Sequence, residues 1–176
     1  MRCKLLMVGV VAAAAAAAVA GQVATAPPVA AAAINVSDAA QHRIRYAVNR
    51  YAEIQVAQRE PYCYGGTGPD CFDCSGLVVA AYRYAGVNLP RRGVRTSRQL
   101  HAFTTRVPLK WSRTGDLLFY DNVRDGRLRV THVELVYRRG GTGPRMAVSA
   151  THSGGPPVNF HPIRHRGLVK VGKVVT

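Results

Sequence analysis

Four cysteines and six histidines run through this 176-residue chain, and one cysteine stands where a thiol can be activated. The segment Asp73-Cys74-Ser75-Gly76-Leu77 joins a loop rich in glycine and proline, Tyr62 to Asp70, to a run with apolar residues at helical spacing: Leu77, Val78, Ala81, Tyr82 and Ala85. A thiol in the first turn of that helix meets unpaired N–H groups and the positive end of the helix dipole, and both favour its thiolate form. Nucleophilic chemistry also needs a base that takes a proton and later returns it to the leaving group. His132 opens the strand-like run His132-Val133-Glu134-Leu135-Val136-Tyr137, and a rigid strand facing the helix start would hold its imidazole near the sulfur. Residue types alone leave His132 open between a base and a structural histidine.

The remaining cysteines depend on the compartment. Arg2 and Lys4 precede an uncharged run from Leu5 to Ala20 that ends Ala-Val-Ala before Gly21, the layout of a secretory signal spanning 1–20. Sixteen apolar residues, half of them weakly hydrophobic alanines, are short for a bilayer span. Cys3 lies inside this segment, and no Leu-x-x-Cys pattern follows it, so the expected product is free rather than lipid-anchored. In an exported chain, Cys63 and Cys71, eight positions apart on the loop before Cys74, should form a disulfide and leave Cys74 unpaired. Two other readings exist for these residues. Cys71 and Cys74 form a CxxC, but a redox pair expects a thioredoxin-like strand before it, and a zinc site of three cysteines and a histidine would leave the His-Val strand without a purpose. No metal and no organic cofactor are expected.

The elements that must position these residues follow from periodicity. Residues 21–36, with Pro27, Pro28 and many alanines, read as a flexible leader, and one domain is expected over 37–176. Ser37 caps a helix carrying Ile44, Ala47, Val48, Tyr51, Ile54 and Val56 and ending near Arg59, and Pro61 stops it. The Cys74 helix ends at Gly86, and a short third helix runs through Ser97 to Ala102. Beyond it, Asp116 to Tyr120, Arg129 to Tyr137, Met146 to Ala150, Pro157 to Pro162 and Leu168 to Val175 read as strands broken by turns. Helices first and an antiparallel sheet afterwards make an α+β domain, with the Cys74 helix packed on the sheet.

The formal net charge is +15, or about +13 once Arg2 and Lys4 are removed. Scattered arginines, export and the lack of an aromatic and basic recognition motif argue against nucleic acid, whereas an anionic wall polymer fits an exported cation. Neutralising Arg91, Arg92 and Arg95 is expected to weaken such binding at low salt.

Several separated segments together resemble the NlpC family of papain-like peptidoglycan peptidases: Pro61-Tyr62-Cys63-Tyr64-Gly65-Gly66, Asp73 to Leu77, Leu89-Pro90-Arg91, Thr114-Gly115-Asp116-Leu117 and His132 to Tyr137. The resemblance implies a papain-like fold and a secreted, monomeric, wall-associated cysteine endopeptidase that hydrolyses stem-peptide bonds through a thioester. Cys74 would be the nucleophile, His132 the base and Tyr62 the loop tyrosine beside the thiol, while Asp73 and Ser75 match positions that hold the substrate's amino end. A polar residue on the next strand orients the imidazole in relatives. Ser149 aligns with it best here and His152 is the other candidate, while Glu134 replaces a usual glycine on the same strand face as His132. The alternatives are an amidase or acyltransferase on another amide or ester, and a catalytically weak wall-binding protein.

Overall fold

The computed structural model describes residues 38–123, 125–152 and 156–175. The signal expected at 1–20 and the leader at 21–36 lie outside the described residues. Helix α1, Asp38–Gln58, buries Val48 and Ala52. Helix α2, Cys74–Tyr84, buries Leu77, Val78, Ala81 and Tyr82, the apolar face expected from its spacing. Helix α3, Ser97–Phe103, starts in a capping box formed by Thr96 and Gln99. Among the described residues no helix is long and apolar enough to cross a membrane.

Six strands follow: β1 Thr105–Arg106, β2 Leu117–Tyr120, β3 His132–Arg138, β4 Arg145–Ser149, β5 Asn159–Pro162 and β6 Leu168–Lys173. They form one sheet in the order β1-β6-β2-β3-β4-β5, antiparallel throughout. Helices ahead of an antiparallel sheet are the α+β arrangement expected from the sequence. Strand alternation sorts the side chains: Phe119, Val133, Leu135 and Val148 meet the helices, and Leu118, Tyr120, Val136 and Ala147 line a second cluster on the other face. Two fixings set α1 and α2 against the sheet. Arg45 reaches the Asp116 carboxylate at 2.9 Å and the Thr114 carbonyl at 2.7 Å, and the Tyr82 hydroxyl donates to the Gly115 carbonyl at 2.8 Å.

Strands β2, β4, β5 and β6 differ from expectation by one or two residues at their ends, and two further differences have a structural reason. β3 starts at His132 rather than Arg129, because the Arg129 N–H is taken by the Asp121 carboxylate at 3.0 Å and that stretch is held as a loop. β1 was not expected: two residues are too few to show alternation, and its pairing with Gly172 and Lys173 of β6 is set entirely by tertiary structure.

Candidate active site

The loop from Pro61 to Phe72 is closed by a disulfide between Cys63 and Cys71, as expected, and Cys74 is a free, partly exposed thiol. Asp73 caps α2 by accepting the Gly76 N–H at 2.5 Å. The cap leaves the Cys74 and Ser75 N–H groups ahead of the first intrahelical bond, at the positive end of the helix. Gly76 permits the close approach of loop and helix, because a Cβ there would penetrate the Gly66 carbonyl oxygen. Arg95, just before α3, ties these parts together. Its guanidinium reaches Asp73 Oδ2 at 3.3 Å, Ser75 Oγ at 3.0 Å and the Gly65 carbonyl at 3.0 Å.

His132, the first residue of β3, lies with its imidazole within hydrogen-bonding reach of the Cys74 thiol. Its Nε2 lies 3.2 Å from Glu134 Oε1, two residues on and on the same face of the strand. Burial pushes His132 toward the neutral form, but the bond to Cys74 and the bond to Glu134 outweigh it and raise its pKa to about 9. An imidazolium is therefore the stable form at neutral pH. Glu134 is completely buried, which opposes its charge, yet the His132 hydrogen bond and the cations His161, His132 and Arg164 hold it below the usual carboxylate range. Arg164 donates to Glu134 Oε1 at 2.5 Å and lies 5.1 Å from the centre of the Tyr120 ring.

The expected positions sort as follows. Cys74, His132 and Tyr62 are brought together. Burial first, and then the neighbouring Cys74 and Asp73, raise the Tyr62 pKa, so its phenol remains a donor at neutral pH. Asp73 and Ser75 lie in the Arg95 network, one residue to either side of Cys74. The third position needs correction. Ser149 is buried, but its hydroxyl meets His161 Nε2 at 3.2 Å rather than His132, and His152 is exposed with no hydrogen bond or ion pair to the described residues. His161 Nδ1 lies 3.0 Å from the Pro162 carbonyl, which can only accept, so Nδ1 carries a proton and Nε2 is the nitrogen that faces Ser149 and Glu134. The contact with His132 Nε2 belongs instead to Glu134, whose place on the strand was legible. Arg164 and His161, about thirty residues further along, carried no local signal. Among the described residues no His, Cys, Asp and Glu cluster could hold a metal.

The model of the NlpC/P60 family matches residues 59–155, which include both Cys74 and His132. The chain belongs to the NlpC/P60 family. Among its NlpC/P60 relatives, a probable endopeptidase of Corynebacterium glutamicum is 32% identical over 124 residues, 68% of this chain and 57% of that protein. The bifunctional muramidase/DL-endopeptidase CwlT of Bacillus subtilis is 37% identical over 82 residues, 46% of this chain and 23% of that protein. The chain thus spans between about a quarter and somewhat over half of these two relatives. The solved peptidoglycan hydrolase RipB of Mycobacterium tuberculosis superposes with a TM-score of 0.61 at 28% identity, over 80% of this chain and 69% of that one. The P60 domain of a Mycobacterium avium subspecies paratuberculosis antigen does so with a TM-score of 0.59 at 25% identity, over 78% and 98%. These neighbours share the NlpC/P60 papain-like fold.

Proposed function

We propose that this chain is an exported cysteine endopeptidase that hydrolyses peptide bonds in peptidoglycan stem peptides, with Cys74 as nucleophile, His132 as acid and base, and Glu134 as the residue that orients His132. The observation carrying this reading is the line Cys74–His132–Glu134, a thiol at a helix N-terminus facing an imidazole whose far nitrogen rests on a buried carboxylate. The proton of the Cys74 and His132 pair starts on His132, whose pKa is raised to about 9. The thiolate adds to the scissile carbonyl, and the oxyanion is met by the Cys74 N–H and the Tyr62 hydroxyl. Collapse breaks the C–N bond, His132 protonates the departing amine, and a thioester remains. Water attacks that thioester, His132 accepts its proton, and release of the acid restores the thiolate. Asp73 and Ser75 shape the acyl side of the groove together with Arg95. The peptidoglycan relatives and the cationic surface both support the wall as the place of action.

The test is digestion of purified peptidoglycan by the protein and by Cys74→Ala, with released fragments identified by mass spectrometry. Stem-peptide fragments that require Cys74 would establish the reading and name the bond. If neither protein releases fragments while both sediment with the wall, a binding role replaces it.

A further inference from the structure

The end of the sheet opposite the catalytic dyad carries a second feature. β3 begins at His132 and ends at Arg138, so the rise of roughly 3.3 Å per residue separates its two ends by about 20 Å. At the Arg138 end, one polar face of α1 overhangs the sheet and encloses a cleft of about 1050 Å³. The register brings cations from three separate segments to this cleft. Leu117 of β2 pairs with Leu135 and Gly172, which aligns the turn holding Arg113, the end of β3 at Arg138 and the end of β6 at Lys173.

The charges are unequally answered. Arg45 is matched by Asp116 at 2.9 Å and Arg50 by Glu53 at 3.3 Å. Arg138 is held only by neutral carbonyls, those of Gly143 at 2.7 Å and Thr142 at 2.8 Å, which fix the guanidinium without cancelling its charge. Arg113 and Lys173 form no salt bridge among the described residues; Lys173 shares the field of Asp116 with Arg45, and Asp38 is the one other acid of the lining. Such convergence destabilises the free protein through like-charge repulsion and is relieved by an anion.

We propose that this cleft is a binding site for a linear phosphodiester polymer with a polyol backbone, separate from the catalytic groove and not needed for bond cleavage. Donors arriving from three directions suit a tetrahedral phosphodiester, whereas a planar carboxylate is satisfied by one guanidinium fork. Tyr46 and His42 are the two aromatic rings of the lining, both on α1, too few for the run of stacked bases that single-stranded nucleic acid uses. Binding here would hold the enzyme on the wall while the groove about 20 Å away remains open to stem peptides.

The test is fluorescence anisotropy of a labelled polyglycerol phosphate chain at low salt, using the full chain carrying Cys74→Ala so that catalysis plays no part. Arg113→Glu with Lys173→Glu should weaken binding roughly tenfold. Arg91→Glu with Arg92→Glu, the same charge change at a distant site, should alter it less than about twofold. Equal losses from both pairs would mean diffuse charge attraction and overturn the site, as would equal affinity for polyglutamate or for an oligonucleotide of matched charge. A melting temperature unchanged in the Arg113 and Lys173 variant confirms the fold. The anisotropy readout stands whether or not the protein proves to be a peptidase.

Discussion

Glu134 is a costly residue to bury, and its placement decides the chemistry of His132. A carboxylate without exposure persists only where cations answer it, and here His132, Arg164 and His161 do so. For His132 the pKa is raised to about 9, so its favourable contribution is complete below the ordinary histidine value of about 6.5 and is lost as pH rises through about 9. Activity that depends on the ion pair should fall on the alkaline side over the same range. Glu134→Gln keeps the shape and removes the charge. It should move that alkaline limb of kcat to lower pH and reduce kcat by roughly tenfold or more, while Ser149→Ala leaves the profile in place. A shift with Ser149→Ala and none with Glu134→Gln would restore the position expected from sequence alignment. Arg164→Met tests the other side of the pair. Glu134 lies below its ordinary value, so its contribution is present above about 4.3 and is lost as pH falls. Without Arg164 that loss should begin at higher pH, visible as an earlier drop of Tm in an acid titration. Cys74 and His132 were legible because their signals are local, a helix start and a strand start. The Glu134 partners come from segments brought close only by folding.

At the scale of elements, the proposed catalytic position is a junction between a crosslinked loop, the start of α2 and the segment leading into α3. The sequence revealed the loop, the apolar face of α2 and the disulfide, since each depends on neighbours a few residues apart. Grouped with Arg91 and Arg92, Arg95 was expected to meet the wall, but its guanidinium is used on Asp73, Ser75 and Gly65. Arg95→Ala should therefore lower kcat/KM on a soluble stem peptide and leave sedimentation with the wall unchanged. The opposite pattern would return Arg95 to the binding surface. The eight-residue disulfide loop has a comparable role. Replacing Cys63 and Cys71 with serine should cost about 2 kcal/mol in denaturant unfolding, through the freedom returned to the unfolded chain. It should also slow alkylation of Cys74 if the loop is what sets the thiol against His132. Alkylation at the original rate would show that the helix start alone is sufficient.

For the whole molecule, position and charge act together. The formal net charge of +15 creates an attraction that decays within about 8 Å at physiological ionic strength, so it acts only near a dense anionic surface. Two ends of one sheet then divide the work proposed above: the His132 end for cleavage and the Arg138 end for retention. Composition made the attraction legible but not its location, because Arg113, Arg138 and Lys173 are brought together by strand register rather than by spacing along the chain. This division predicts two different salt responses from one enzyme. On insoluble peptidoglycan, where retention raises the local concentration of substrate, the digestion rate should fall steeply between about 0.05 and 0.5 M salt, chiefly through KM. On a soluble, uncharged stem-peptide analogue the same titration should leave kcat/KM nearly flat, since the His132 and Glu134 side chains are buried and their contact is weakly screened. Parallel declines on both substrates would place the salt sensitivity in the catalytic groove itself, and the surface charge would then have no part in holding the enzyme to the wall.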